Sequence, residues 1–229
     1  MSRPDKRKVD ETRPIEAKVG VIKRADGSAM FKIGNTVAYA AVYGPRSLHP
    51  RFLQNPEKGI LRCNYNMMPF SGSGDRIRPG GSRRSKEIAL VTKNALTPII
   101  GLNEFPNAVV DLYIEFPQTD AGTRCAGICA ASMALADAGI PMKEMVSSIA
   151  VGLVNGKPVV DLSKEEEDIE GTVDVPIAVL PNSGKVSLMQ LDGEIKKEEL
   201  KKAVEMGIGA CKKINEVQKK ILKDRYKGE

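Results

Sequence analysis

An alanine-rich stretch from Cys125 to Ala138 is the feature that most constrains how this chain folds. Gly139 and Pro141 follow it, as they do at the end of a helix, so the stretch predicts a helix that starts just after Gly122-Thr-Arg124. A helix start offers free backbone N–H groups and the positive end of the helix dipole. An arginine at that position therefore completes a site for an anion. The alternative is an ordinary helix cap beside a surface arginine.

Runs with the alternating pattern of β-strands surround this helix in both halves of the chain. In the first half, strands are predicted at residues 17–22, 28–33, 36–43, 60–67 and 108–116, with a helix from Ser82 to about Ile100. In the second half, strands are predicted at 148–154, 158–162, 172–180 and 186–191, before a closing helix from about Lys197 to Lys223. In each half, a mainly antiparallel group of strands is therefore followed by a long helix. This order predicts an α+β fold with a weak internal duplication.

Composition limits the class of protein. The chain has 229 residues, 41% of them hydrophobic, which is enough for one large domain or two small ones with a buried core. Its net charge of +6 fits a polyanionic partner, although many basic proteins bind no nucleic acid. Its four cysteines form no CxxC pair, and unpaired thiols suit a reducing compartment. Because neither a signal peptide nor a run of membrane-spanning length is found, we expect a soluble cytoplasmic protein with no membrane partner.

Two further segments carry clusters of charge. Residues 167–174 hold four acidic side chains, directly before the apolar run 175–180. Carboxylates in such a cluster handle protons or hold a metal ion, whereas the alternative is a solvated acidic loop, to which we assign Glu165, Glu166 and Glu170. Residues 71–81 combine glycines with arginines and predict a flexible cationic loop, which lacks the Gly-Lys-Ser/Thr ending of a P-loop.

Short motifs along most of the chain share their order with one known family. They are Arg3-Pro-Asp5, Asp26-Gly-Ser-Ala29, Gly34-Asn-Thr36, Ala40-Ala-Val-Tyr-Gly-Pro45, Tyr65-Asn-Met-Met-Pro-Phe-Ser71, Arg83-Arg-Ser-Lys-Glu-Ile88, Asp120-Ala-Gly-Thr-Arg124, Asp168 and Asp174. In this order the motifs resemble the RNase PH family, and within it the catalytic RNase PH-like subunit of the archaeal exosome. The resemblance spans residues 3 to about 222. One departure is Lys6, where the family opening Arg-Pro-Asp-Gly-Arg has glycine, so we expect a different turn there.

The resemblance implies a fold. It is a single RNase PH-like α+β domain over residues 14–223, built from two β-α-β-α halves similar to a fold of ribosomal proteins. A basic N-terminal arm at 1–13, either mobile or bound to a partner, precedes this domain, and a C-terminal tail at 224–229 follows it.

The resemblance also implies a reaction and an assembly. The reaction is 3′-to-5′ phosphorolysis of single-stranded RNA and poly(A)-rich tails, in which inorganic phosphate is a co-substrate and nucleoside diphosphates are released. In reverse it adds tails. The assembly is a hetero-hexameric ring, a trimer of dimers with an inactive RNase PH-like partner subunit, topped by RNA-binding cap proteins.

Residue roles follow from the matching positions. Arg124, with Gly122 and Thr123, would hold the attacking phosphate. Asp174 would act as general acid, and Asp168 would orient it or share a Mg²⁺ ion with it. The residues that would contact RNA are Arg83, Arg84, Lys93 and Tyr65. Tyr65 would stack on a base, and a core tyrosine is its equal alternative.

Two other functions remain open from the sequence. One is a homohexameric RNase PH that trims tRNA 3′ ends without a partner subunit. The other is a non-catalytic scaffold subunit that only lines the ring. Arg124, Asp168 and Asp174 argue against the scaffold, because inactive relatives tend to lose such residues.

Overall fold

Nine strands form two sheets in the computed structural model, which describes residues 3–73, 77–78 and 81–227. The first sheet has the order β1-β2-β3-β5-β4 and comprises β1 (Ile15–Val19), β2 (Gly27–Ile33), β3 (Thr36–Ser47), β4 (Ile60–Met67) and β5 (Ala108–Gln118). The second has the order β7-β6-β8-β9 and comprises β6 (Ser147–Val154), β7 (Lys157–Val160), β8 (Val173–Leu180) and β9 (Lys185–Met189). Neighbouring strands are antiparallel except β4 and β5, which are parallel. Part of the predicted cationic loop at 71–81 lies outside the described residues.

Four α-helices pack with these sheets in the described part of the chain: α1 (Arg83–Leu96), α2 (Thr123–Asp137), α3 (Lys164–Glu167) and α4 (Lys197–Tyr226). The helix α2 contacts β2 and β3 of the first sheet as well as β6 of the second, and α4 packs on β6 and β7. Apart from Arg124 and Ala136, every residue of α2 is buried. Buried residues of both halves form one hydrophobic cluster, so the halves share a core. No helix among the described residues is long and apolar enough to cross a membrane.

The closing helix extends further than the sequence predicts. It runs to Tyr226, whose hydroxyl contacts the Asp137 side chain at the end of α2 at 3.1 Å. Arg225 also pairs with Asp137 at 3.1 Å, and the same carboxylate accepts the Ser28 backbone N–H at 2.8 Å. Because these contacts hold the last turn, the predicted tail at 224–229 is helical over its first three residues.

The described part of the basic arm, residues 3–13, is held against the second half of the chain. Arg3 and Arg13 are both buried. Arg3 donates two hydrogen bonds of 2.7 Å to the Glu166 carboxylate, and Arg13 pairs with Asp161 at 2.7 Å. These residues are therefore not mobile, because charge-assisted bonds between buried groups fix the arm in place, and the partner-bound alternative stays a prediction.

The turn within this arm is closed by a hydrogen bond of 2.9 Å from the Lys6 N–H to the Arg3 carbonyl. Lys6 has a φ of 63°, in the left-handed region that glycine favours and other residues seldom adopt. The prediction of a different turn at Lys6 is therefore wrong, because the lysine adopts the backbone conformation that a glycine would adopt there.

Glu166 corrects the prediction of a solvated acidic loop. It is fully buried, and besides the two bonds from Arg3 it accepts the Ser163 backbone N–H at 2.9 Å. The Ser163 hydroxyl accepts the Glu166 N–H in return, forming a capping box that starts the one-turn helix α3. This burial is not predictable from neighbouring residues, because Arg3 lies 163 residues away.

We expect removal of Arg3 to destabilise the protein strongly. Arg3→Met removes both side-chain hydrogen bonds from the buried Glu166 carboxylate and leaves only Arg7, at 3.9 Å, as a nearby cation. Breaking a buried ion pair from one side costs about 3–5 kcal/mol. Lys32→Met is the matched control, because Lys32 pairs with Glu16 at 2.8 Å on the surface, where ion pairs contribute little. The measurement is the free energy of unfolding in urea. Equal losses in the two variants would contradict the anchoring role of Arg3.

Candidate active site

The candidate anion site lies at the start of α2, where Gly122 sets the direction of the chain. Gly122 has a φ of 71°, a conformation that a side chain would strain, and it precedes the first helical residue, Thr123. The first N–H groups of a helix have no partner within it, and the dipoles of its 15 residues add positive potential there. Arg124 brings a guanidinium to the same end. The predicted helix start is therefore confirmed to within two residues, with donors and a cation side by side.

Arg124 and Asp174 line the same cleft, which has a volume of about 510 Å³. Its walls come from α1, α2, α3, β8 and the segment after β9. The lining residues are Arg84, Arg124, Lys164, Glu167, Thr172, Asp174, Pro176, Gln190, Leu191, Asp192 and Gly193. The structure thus brings together the start of α2, where phosphate binding is predicted, and the acidic run 167–174, where proton chemistry is predicted.

Three polar atoms of this cleft are buried without a hydrogen-bond partner in the described part of the chain. They are Arg124 Nε, Asp174 Oδ1 and Gln190 Oε1. The Arg124 Nη2, which shares an edge of the guanidinium with Nε, lies 3.7 Å from Oε1 of Glu87 on α1. Because a buried polar atom without a partner is costly, such atoms in a cleft mark where a ligand would complete the bonding.

Two carboxyl groups in the cleft have raised pKa values. Burial raises the pKa of Asp174 from 3.8 to about 6; the Arg124 charge opposes this rise and the Asp192 carboxylate adds to it. Burial, and then repulsion from Asp174, raises the pKa of Glu167 from 4.5 to about 7. A carboxyl whose pKa lies this close to neutrality holds a proton that it can donate to a leaving group. Glu167 lies within the acidic run 167–174, but no role was predicted for it.

Asp168 does not line this cleft. Its side chain is 63% exposed and pairs with Lys164, four residues earlier, at 2.6 Å. The predicted Mg²⁺ site needs the carboxylates of Asp168 and Asp174 to converge, and no group of three or more His, Cys, Asp or Glu side chains suited to a metal occurs among the described residues. The residues as placed do not fit the predicted magnesium site.

A second cleft, of about 360 Å³, adjoins the first and shares Arg84, Lys164 and Glu167 with it. Thr123, Arg78 and residues near the start of α1 also line it. This helix starts where predicted, because the Ser82 side chain accepts the Ser85 N–H at 3.0 Å. Arg84 therefore lies where the two clefts meet.

Of the other predicted RNA-binding residues, Arg83 and Lys93 line neither cleft, whereas Tyr65 lines the second one. Arg83 is exposed and is not among the residues that line either cleft. Lys93 lines a groove of about 730 Å³ beside α1 and β4, which shares Tyr65, Asn66 and Ser85 with the second cleft. Tyr65 is only 5% exposed, and its ring packs against Phe116 with the centroids 5.0 Å apart. The ring therefore packs in the core, as the alternative for Tyr65 predicts, and the residue also lines the second cleft, where base stacking stays a prediction.

Related proteins show a consistent name. The exosome complex component Rrp41 of Methanopyrus kandleri is 48% identical to this chain, and the match covers 99% of the chain and 94% of the relative. Rrp41 of Thermococcus kodakarensis is 49% identical, with 98% of the chain and 89% of the relative covered. Both relatives therefore match over nearly the whole chain.

Solved structures share the fold. Rrp46 of rice (Oryza sativa) superimposes with a TM-score of 0.83 at 25% identity, covering 96% of this chain and 100% of that chain. The Archaeoglobus fulgidus exosome with RNA bound to the active site gives a TM-score of 0.79 at 23% identity, covering 94% and 92%. The predicted RNase PH-like α+β fold is confirmed.

Two family models account for most of the sequence. The model described as 3′ exoribonuclease family, domain 1, matches residues 11–141, and the model of domain 2 matches residues 144–210. The boundary between them falls between α2 and β6, where the first half of the duplicated fold ends. The chain therefore belongs to the RNase PH family of 3′ exoribonucleases.

Proposed function

We propose that this chain is the catalytic subunit of an RNA exosome and that it degrades single-stranded RNA from the 3′ end by phosphorolysis. The observation that carries the proposal is the convergence of the start of α2, Arg124 and the half-buried Asp174 on one cleft. Relatives at 48% and 49% identity that are named as exosome components support it further.

The first task of phosphorolysis is to bring a phosphate dianion up to an anionic diester, so the site must supply positive charge. Arg124 holds the attacking phosphate, together with the N–H groups after Gly122 and the Thr123 hydroxyl. The buried Arg124 Nε has no acceptor within the described residues, and a phosphate oxygen supplies one. The positive charge of Arg84, on the wall of the same cleft, adds to the attraction.

The second task is to protonate the leaving group. An oxygen of inorganic phosphate attacks the phosphorus of the last diester, and the bond from that phosphorus to the 3′ oxygen of the preceding ribose breaks. The ribose oxygen takes the proton of Asp174, and the terminal nucleotide leaves as a nucleoside diphosphate. Asp174 then regains a proton from solvent. Its raised pKa, caused by burial, supports this role.

The cleft beside Thr123 and Arg78 gives the RNA chain a path to the reacting groups, and Arg84 stands at the junction. Contacts between arginines and phosphates position RNA without reading its sequence. This suits an enzyme that removes every nucleotide in turn.

We expect Arg84→Ala to weaken RNA binding more than Arg83→Ala does. The Arg84 side chain lines both clefts, and loss of one phosphate contact should weaken binding to all sequences and lower the salt slope by roughly one unit. Arg83, its neighbour in the chain, is the matched control because it lines neither cleft. Dissociation constants for oligo(A) and oligo(U), measured over a series of salt concentrations, test this. A larger loss of RNA affinity in Arg83→Ala than in Arg84→Ala would contradict this path and indicate that RNA binds on the other side of α1.

The proposed assembly is a hetero-hexameric ring with an inactive RNase PH-like partner, topped by RNA-binding cap proteins. The names of the relatives favour this over a homohexameric RNase PH that trims tRNA, and the complete Arg124–Asp174 cleft favours catalysis over a scaffold role. All four cysteines are unpaired, which suits the reducing cytoplasm.

The test is degradation of poly(A) with and without phosphate, and with and without the candidate partner subunit. We expect ADP, a requirement for phosphate, and strong activity only with the partner. Strong activity of the chain alone would favour the homohexameric RNase PH. AMP formed without phosphate would contradict phosphorolysis, and no activity under any condition would favour the scaffold.

A further inference from the structure

Gln190 lines the cleft beside Arg124 and Asp174 but has no part in the chemistry above. Its backbone N–H donates to the Pro176 carbonyl at 3.1 Å, one residue beyond the end of β9. Two residues further, Asp192 exchanges backbone hydrogen bonds of 3.0 and 2.8 Å with Asp174. The segment from Gln190 to Asp192 is thereby fixed alongside the strand that carries Asp174.

The orientation of the Gln190 amide is set by α1. Its Nε2 donates to Oε1 of Glu87 at 3.2 Å. An ionised carboxylate only accepts hydrogen bonds, so the reverse orientation of the amide would set two oxygens against each other. The amide oxygen is therefore the atom left over, and it is buried with no donor among the described residues.

An unpartnered acceptor requires a ligand with a hydrogen-bond donor. Inorganic phosphate as the dianion HPO₄²⁻ has one hydroxyl, and its oxygens are matched to Arg124 and the N–H groups of α2. A pair of RNA substrates that differ only in a ribose hydroxyl separates that donor from one on the RNA. Amino groups of the bases differ from one nucleotide to the next and are missing in uracil, whereas the ribose 2′-hydroxyl is present in every nucleotide of RNA. That hydroxyl is also the group by which a protein distinguishes RNA from DNA.

We propose that Gln190 selects ribose over deoxyribose, by accepting a hydrogen bond from the 2′-hydroxyl of the ribose that bears the leaving oxygen. The inference rests on the proposed function, because it uses the position of Asp174 next to that oxygen. The 2′-hydroxyl sits on the carbon adjacent to the one that carries the 3′ oxygen. A ribose held against Asp174 therefore presents its 2′-hydroxyl to the neighbouring segment, where the acceptor of Gln190 lies.

The experiment compares two oligo(A) substrates that differ by one 2′-hydroxyl, at the nucleotide before the last. The readout is the ratio of kcat/KM for the all-ribose substrate to kcat/KM for the 2′-deoxy substrate, at saturating phosphate and on the assembled ring. We expect Gln190→Met, which keeps the length but removes the amide, to lower this ratio about tenfold relative to the unsubstituted protein. Comparing ratios between variants cancels the intrinsic effect of the hydroxyl on the leaving group.

Two controls separate recognition from general damage. Leu191→Ala alters the same wall of the cleft without removing a side-chain hydrogen-bonding group, and it should leave the ratio unchanged. Moving the 2′-deoxy position to the last nucleotide should give a ratio that does not depend on Gln190. If Gln190→Met does not fold, Gln190→Glu keeps an acceptor and should retain the discrimination although its charge repels Glu87.

The failures can be told apart. If the unsubstituted protein requires phosphate and releases ADP, but Gln190→Met leaves the ratio unchanged or changes it equally at both positions, the inference about Gln190 is wrong and the proposed function stands. If the unsubstituted protein releases no ADP from the all-ribose substrate, the proposed function itself fails.

Discussion

Asp174→Asn should lower the turnover of RNA by about 10²-fold or more while leaving RNA binding almost unchanged. Asparagine keeps the size of the side chain and its hydrogen bonding but has no proton to donate, and general acid catalysis usually contributes about 10²–10⁴-fold. Single-turnover decay of a labelled oligo(A) measures the chemical step apart from product release. A rate near that of the unsubstituted protein would remove Asp174 from its assigned role.

The pH dependence gives this prediction a second signature. Because the general acid must be protonated, kcat/KM should fall as the pH rises through about 6, the raised pKa of Asp174. The residual activity of Asp174→Asn should lack this step, and any step that remains in both proteins belongs to phosphate or another group. The comparison must therefore be made at the same phosphate concentration in each buffer.

The same substitution should stabilise the fold at neutral pH. The pKa of Asp174 is raised in the folded protein, so the unfolded chain loses its proton first as the pH rises from 3.8 to about 6. Ionisation thus favours the unfolded chain, and the folded protein loses stability through this window. Asparagine escapes this cost. Thermal unfolding at pH 5 and pH 8 should show a larger gain for Asp174→Asn at the higher pH, and a gain independent of pH would contradict the assigned cause.

Arg124→Ala should nearly abolish phosphorolysis, and Arg124→Lys should raise the phosphate concentration required and slow turnover. Arginine offers parallel N–H donors that match two phosphate oxygens, whereas the point charge of lysine cannot. RNA should still bind both variants, because the adjoining cleft and Arg84 are left intact. Rate against phosphate concentration, at saturating RNA on the assembled ring, measures the effect. An unchanged phosphate dependence in Arg124→Ala would place the anion site elsewhere.

Glu87→Gln is the matched comparison for Arg124. It removes the negative charge that lies 3.7 Å from the Arg124 guanidinium but keeps a similar shape. If that carboxylate competes with phosphate for Arg124, the variant should bind phosphate more tightly. If it instead holds the guanidinium in place, phosphate binding should weaken.

Local patterns in the sequence were enough to predict the elements that carry the anion site. The alanine-rich run, its glycine stop and the Gly122-Thr-Arg124 opening depend on neighbouring residues alone, and the structure places α2 within two residues of its predicted start. The strands were predicted for the same reason, because alternation of apolar and polar residues is local. The Gly122-Thr-Arg124 opening and the acidic run with Asp174 line one cleft because of the fold. The order of the family motifs implied this proximity, whereas neither segment predicts it alone.

What the sequence could not predict depends on contacts between distant residues. Glu166 is buried because Arg3 reaches it from the other end of the chain. The capping box of α3 determines which of two adjacent carboxylates faces the cleft, and it places Glu167 there and leaves Asp168 exposed beside Lys164. In the sequence, Gln190 is an ordinary polar residue near the end of a strand. Its role was not predictable, because its partner Glu87 lies 103 residues earlier.

The source of the phosphate in the product tests the central claim most directly. Poly(A) is incubated with the assembled ring and inorganic phosphate labelled with ³²P, and the released nucleotides are separated. Phosphorolysis at the Arg124–Asp174 cleft predicts ADP with the label in its β-phosphate, one label for each nucleotide released, and almost none with Arg124→Ala. Release of unlabelled AMP, or labelled ADP in equal amount from Arg124→Ala, would contradict it.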